Sequence, residues 1–124
     1  LTENIDRKKQ AYWQIIRILR KEKKDPDLEA DIYQKAVELY GSDYKYLPSL
    51  LNSFSKRMTQ LEKKLDVALE KIDMALEYGE DIKILDTFIH LLLVYCQKTI
   101  SLIIVCGQIQ TQLGEVLLNC VKLP

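Results

Sequence analysis

At 124 residues, 48% of them hydrophobic and 29% charged, the chain has the size and composition of one ordinary globular domain. That balance argues against disorder, a collagen-like repeat or a disulfide scaffold, and a formal charge of +0 from 18 basic and 18 acidic residues removes the usual electrostatic reason to expect nucleic acid as a partner. A single domain over 1–124 is expected, and because the chain opens on Leu1 rather than methionine it is expected to be a fragment of a longer protein.

Thr2 is placed to cap a first helix over 3–24, where Ile5, Tyr12, Ile16 and Leu19 recur at helical spacing. The end of this helix is strongly basic. Arg17, Arg20, Lys21, Lys23 and Lys24 form a candidate patch for phosphate or an acidic protein surface, although cations also suit the C-terminal end of a helix dipole. Asp25-Pro26-Asp27 should break the helix, because proline pushes its predecessor out of the helical region and can itself open the next helix. A second helix is expected from Pro26 to Tyr40 on the stripe Leu28, Ile32, Ala36 and Leu39, with Gly41 as a left-handed cap. Tyr40, Tyr44 and Tyr46 then cluster at a turn. Tyrosine pairs an apolar ring with a wet hydroxyl, so the cluster is either a contact surface or a plug for the end of the bundle.

From Leu47 the apolar residues Leu51, Phe54, Met58, Leu61, Leu65, Ala68, Ile72 and Ala75 alternate steps of four and three, a heptad seam without an internal glycine. The spacing predicts one helix over about 45–78, roughly 45 Å long. Gly79 supplies a stop, Glu80-Asp81 can seed a new N-terminus, and a second arm over about 81–121 is expected to return antiparallel. Between Phe88 and Cys106 that arm is apolar nearly all round, with Leu91, Leu93, Leu102 and Ile104 off its own seam. A helix apolar on every side must be surrounded. The expected fold is therefore all-α: an elongated bundle of about four helices, in which the long hairpin is covered by two shorter N-terminal helices and by a second copy of the chain.

Membrane insertion is the weaker expectation for the 88–106 stretch, because Gln97, Lys98 and Thr99 interrupt it at the centre. Cys96, Cys106 and Cys120 are odd in number and far apart on one helix, which suits reduced, buried thiols in an intracellular, cytoplasmic protein. His90, the single histidine, sits in an apolar run and reads as structural. Without a glycine-rich phosphate loop, a nucleophile elbow, a paired-cysteine zinc pattern or a calcium loop, no catalytic residue, cofactor, metal or enzymatic activity is expected.

The run from Tyr33 to Phe54, with Tyr33, Ala36, Leu47, Leu50 and Phe54, resembles the junction between two tetratricopeptide-type repeats, and Ala68, Ile72 and Ala75 repeat that family's second-helix spacing. It departs from the family in three ways. The interval from Ala36 to Ala75 is about five residues longer than the family's repeat, Glu29 stands where a small residue belongs, and the expected 45–78 helix is about twice the length of one repeat helix. The resemblance covers about a sixth of the chain and does not assign it to the family.

The function expected from this pattern is non-enzymatic: a protein-interaction or scaffold domain of coiled-coil character that docks another helical protein or a second copy of itself. Leu91, Leu93, Leu102 and Ile104 are its first candidate contacts, with Tyr40, Tyr44 and Tyr46 as a secondary one. A peripheral membrane domain using the basic helix and the apolar arm is the second reading, and a small helical regulator that occludes its partner is a third.

Overall fold

A computed structural model describes the backbone of residues 2–121 and the side chains of residues 3–119. The expectations for Thr2 as a cap and for Cys120 as a buried thiol lie outside the described side chains. Among the described residues the chain is all-α, with five helices: α1 (Thr2–Glu22), α2 (Pro26–Glu38), α3 (Leu47–Leu61), α4 (Leu65–Glu77) and α5 (Ile82–Val121). They fall into two compact units divided between Leu92 and Leu93, within α5.

The first break follows proline chemistry as expected. Lys23 turns left-handed at φ 56° while its N–H still reaches the Leu19 carbonyl at 2.9 Å. The Asp25 carboxylate then accepts the Leu28 N–H at 3.0 Å and caps α2, with Pro26 opening the helix. The other end of α2 corrects an expectation: it closes through Leu39 N–H to Ala36 and Tyr40 N–H to Val37, at 3.3 and 3.1 Å, with no left-handed glycine. Gly41 instead leaves room for the Asp43 carboxylate, which a methyl group at that position would meet at 2.7 Å.

The single helix expected over 45–78 is two helices. Glu62 and Lys64 are left-handed, at φ 55° and 49°, and the Lys63 N–H reaches back to the Met58 carbonyl at 3.1 Å, a Schellman-type closure made without glycine. Alternating steps of four and three cannot tell one straight helix from two that fold back on each other, so the seam hid the break. Burial decides between them. Folding at 62–64 packs α3 against α4, and Leu47, Leu51, Phe54, Met58, Leu65, Ala68, Ile72 and Ala75 all become buried. Each left-handed residue costs about 1–2 kcal/mol, whereas each fully buried Leu, Phe or Met contributes about 1.5–3 kcal/mol. Ser55 Oγ donates to the Ala68 carbonyl at 2.9 Å and locks the two helices together. Lys63 and Lys64 reach Asp27 and Asp31 of α2, at 3.0 and 2.8 Å. The hydrogen bond from Lys64 and its charge hold the Asp31 carboxyl below its ordinary value of 3.8, but these pairs are largely in solvent and are screened.

Within the first unit the helices do not form one long arm covered by two shorter ones. They pack in chain order, α1 on α2, α2 on α3 and α3 on α4. Edge-to-face contacts run through this stack from Trp13 to Tyr33 and from Tyr33 to Phe54, with ring centroids 5.4 Å apart at both steps. The 45–78 segment is two helices of ordinary length, and Glu29, buried at 2% exposure, is held by Arg57.

Burial raises the Tyr33 phenol above its ordinary value of 10.0, aided by the Glu29 charge and opposed by Arg20 and Arg57. The native state thus holds this proton more tightly than the unfolded chain does, so its contribution is intact below pH 10 and is lost as pH rises above it. Tyr33→Phe should therefore flatten the fall in urea midpoint as pH rises above about 10. An equally steep fall in the variant would contradict the assignment.

Candidate interaction surface

Gly79 supplies the expected stop after α4, at φ 153°, and the Asp81 carboxylate accepts the Lys83 N–H at 2.9 Å to open α5. Ile84, Thr87 and Leu91 of its first turns are buried, and the Thr87 hydroxyl is satisfied by the Lys83 carbonyl at 3.0 Å. Leu91, expected at an interface, is fully buried and belongs to the core.

Beyond Leu92 the situation reverses. Every described side chain from Tyr95 to Asn119 is exposed, including Leu102 at 66%, Ile104 at 54% and Leu113 at 58%. Leu93 is also exposed. Cys96 and Cys106 are exposed as well, contrary to the expectation of buried thiols: that expectation assumed the apolar run was surrounded within the chain.

The exposed segment is apolar over most of its circumference, with Leu93 and Ile104 bordering one narrow polar stripe. By helical spacing Gln97, Ser101, Gln108, Gln112, Glu115 and Asn119 share one side, a mostly uncharged polar stripe. Tyr95, Leu102, Cys106, Ile109, Leu113 and Leu117 share the other and continue the sequence spacing of Ile84, Phe88 and Leu91. Attention to apolar residues alone missed this; the signal was the recurrence of glutamine at 97, 108 and 112. The hydroxyls of Thr99, Ser101 and Thr111 donate to the carbonyls of Tyr95, Gln97 and Gly107 at 2.9–3.0 Å. Covering them therefore leaves no hydroxyl donor unsatisfied. By length and composition α5 is also sufficient to cross a membrane, with a mean hydropathy of 1.9 in its most apolar window within Ile82–Asn119.

The tyrosine cluster divides between the two roles expected of it. Tyr40 is a structural tie: its hydroxyl accepts the Trp13 Nε1–H at 3.0 Å and Lys9 lies 4.3 Å from its ring centroid. Tyr44 packs against it with its ring tilted, at 4.6 Å, and Tyr46 meets Tyr44 edge to face at 5.9 Å, both rings being exposed and Tyr46 carrying Lys45 at 5.3 Å. Arg17, Arg20, Lys21, Lys23 and Lys24 are all exposed, at and just beyond the end of α1. Arg17 and Arg20 flank an open cavity of about 450 Å³ beside Trp13 and Ile16. Lys23 lines a different cavity, of about 250 Å³, with Asp25, Glu29 and Arg57.

A third cavity, of about 260 Å³, lies between α3 and the start of α5, lined by Lys56, Thr59, Gln60, Asp86, Thr87 and His90. Asp86 stands one turn before His90, yet no cluster of three or more metal-ligating side chains occurs among the described residues. Compared with known protein families, characterised proteins and solved structures, the chain shows no significant match.

Proposed function

We propose that this chain is a non-enzymatic protein-interaction or scaffold domain that acts through helix–helix packing, with α5 as its docking helix. The observation that carries this reading is the exposed apolar side from Tyr95 to Leu117. Each exposed Leu or Ile there stands to contribute about 1.5–3 kcal/mol when a partner covers it, and a continuous patch of this kind is characteristic of an interaction site. The polar stripe argues for protein rather than lipid as the cover. A lone span over the most apolar stretch, 88–106, would hold Gln97 and Lys98 at the middle of the hydrocarbon, and a helix lying on a bilayer carries lysine and arginine along its polar face. Between Leu93 and Asn119 the charged residues are Lys98 and Glu115.

The membrane reading keeps one observation in its favour, the length and hydropathy of α5, with the cations of α1 as its attachment. A photoreactive residue at position 102 of the whole chain distinguishes the two in cells. An adduct of discrete protein mass at 102, absent when the probe stands at Gln108, is the expected result. Lipid adducts alone, together with flotation on anionic vesicles that is lost on neutralising Arg17, Arg20, Lys23 and Lys24, would replace this proposal with a membrane role.

A further inference from the structure

We propose that the cleft beside Trp13 binds an acidic segment of a partner protein, one that carries a large apolar side chain among its aspartates and glutamates. The lining residues all belong to α1, within the first compact unit, so the site does not depend on what covers α5.

The floor of the cleft is apolar and fixed. Ile16 is 2% exposed, and Trp13 is held edge to face against Tyr33 and through its Nε1–H, which the Tyr40 hydroxyl accepts at 3.0 Å. With its only donor spent, the indole offers an occupant nothing but apolar surface. The open space of about 450 Å³ above it has room for a large side chain, which gains by leaving water. A ring already locked by its neighbours loses little freedom when that side chain covers it.

The walls are charged and lack a partner. Arg17 and Arg20 stand one turn apart on the same side of α1, and neither forms an ion pair among the described residues. By contrast, Arg57, Lys63 and Lys64 each meet a carboxylate of α2. The charge of Glu29 reaches Tyr33, as that of Arg20 does, but both Glu29 oxygens are taken by Arg57 at 2.7 and 2.9 Å. Guanidinium groups left open in this way suit carboxylates, which they bind through paired hydrogen bonds. Lys9, 4.3 Å from the Tyr40 ring, extends the positive surface in one direction, and Lys21, Lys23 and Lys24 extend it in the other. Glu22 is the single acid between Trp13 and Lys24. A run of several acids therefore complements this helix better than one carboxylate does. A long polyanion such as nucleic acid gains less, because the whole chain carries a formal charge of +0.

Trp13 is the only tryptophan, so its fluorescence reports on the cleft directly. A short synthetic peptide with one phenylalanine among aspartates and glutamates, titrated into the whole chain, should shift the emission to the blue, and added salt should weaken the binding. Serine in place of that phenylalanine should raise the Kd about tenfold. Arg17→Glu combined with Arg20→Glu should raise it about tenfold or more, since like charges then face each other. Arg17→Lys with Arg20→Lys keeps the charge, loses the paired hydrogen bonds and should fall between. Both positions are exposed, so neither pair of changes should alter the far-ultraviolet spectrum. The absence of any shift, equal binding of a peptide with lysines in place of its acids, or binding indifferent to the glutamate pair would overturn the proposal. Tighter binding of oligothymidylate or of phosphatidylserine vesicles than of the peptide would also overturn it, by assigning the arginines to phosphate.

Discussion

Phe54→Ala is expected to lower the unfolding free energy by about 3–5 kcal/mol, the usual range for removing a buried phenylalanine. Phe54 has no exposed surface and ends the edge-to-face chain that begins at Trp13 and passes through Tyr33, so its ring joins α3 to α2 and, through Tyr33, to α1. Deleting it leaves a cavity between α2 and α3 under the Tyr33 ring, which neither helix can close without moving against its other neighbour. Ordinary domains are stable by about 5–15 kcal/mol, so the variant should be close to unfolding. Urea denaturation followed by far-ultraviolet circular dichroism measures the loss. A cost under about 1 kcal/mol would mean that the stack is not the centre of the core.

Arg57→Ala should cost about 3 kcal/mol or more for a different reason. Arg57 Nε meets Glu29 Oε2 at 2.7 Å and its Nη2 meets Oε1 at 2.9 Å, a bidentate pair that firms the positive charge of the guanidinium and raises its pKa. The Glu29 side chain is only 3% exposed, against 19% for Arg57, so removing the arginine strands a carboxylate that water barely reaches. Replacing both residues with methionine should recover most of the loss, because the penalty comes from the unpaired charge rather than from absence of the bridge. A double variant as unstable as Arg57→Ala would show that the pair supplies more than mutual neutralisation.

Both predictions depend on contacts that sequence patterns located only in part. The α2 start, the Gly79 stop and the α5 start were legible, because proline, glycine and aspartate act locally and leave the same mark in any fold. The turn at 62–64 was not, since Glu62, Lys63 and Lys64 have no turn chemistry of their own and adopt left-handed angles only because the two halves of the seam bury each other. The partnership of Glu29 and Arg57 spans 28 residues and two helices, a separation that no local spacing encodes.

The exposed apolar surface of α5 was legible in outline. Leu93, Leu102 and Ile104 are exposed, whereas Leu91, read from the same apolar run, is core, because the run crosses from one compact unit into the next between Leu92 and Leu93. Hydrophobicity alone does not mark that crossing. The polar stripe through Gln97, Ser101, Gln108 and Gln112 does show that the exposed part of α5 has a wet side, and it was readable from spacing once glutamine and serine were followed as closely as leucine.

A photoreactive residue at position 102 of the whole chain, compared with one at Gln108, tests the docking role of α5 most directly, because Leu102 is exposed on the apolar side and Gln108 stands on the polar stripe. A protein adduct of discrete mass at 102 and none at 108 is the expected result. Lipid adducts alone at 102, or protein adducts in equal yield at both positions, would contradict it.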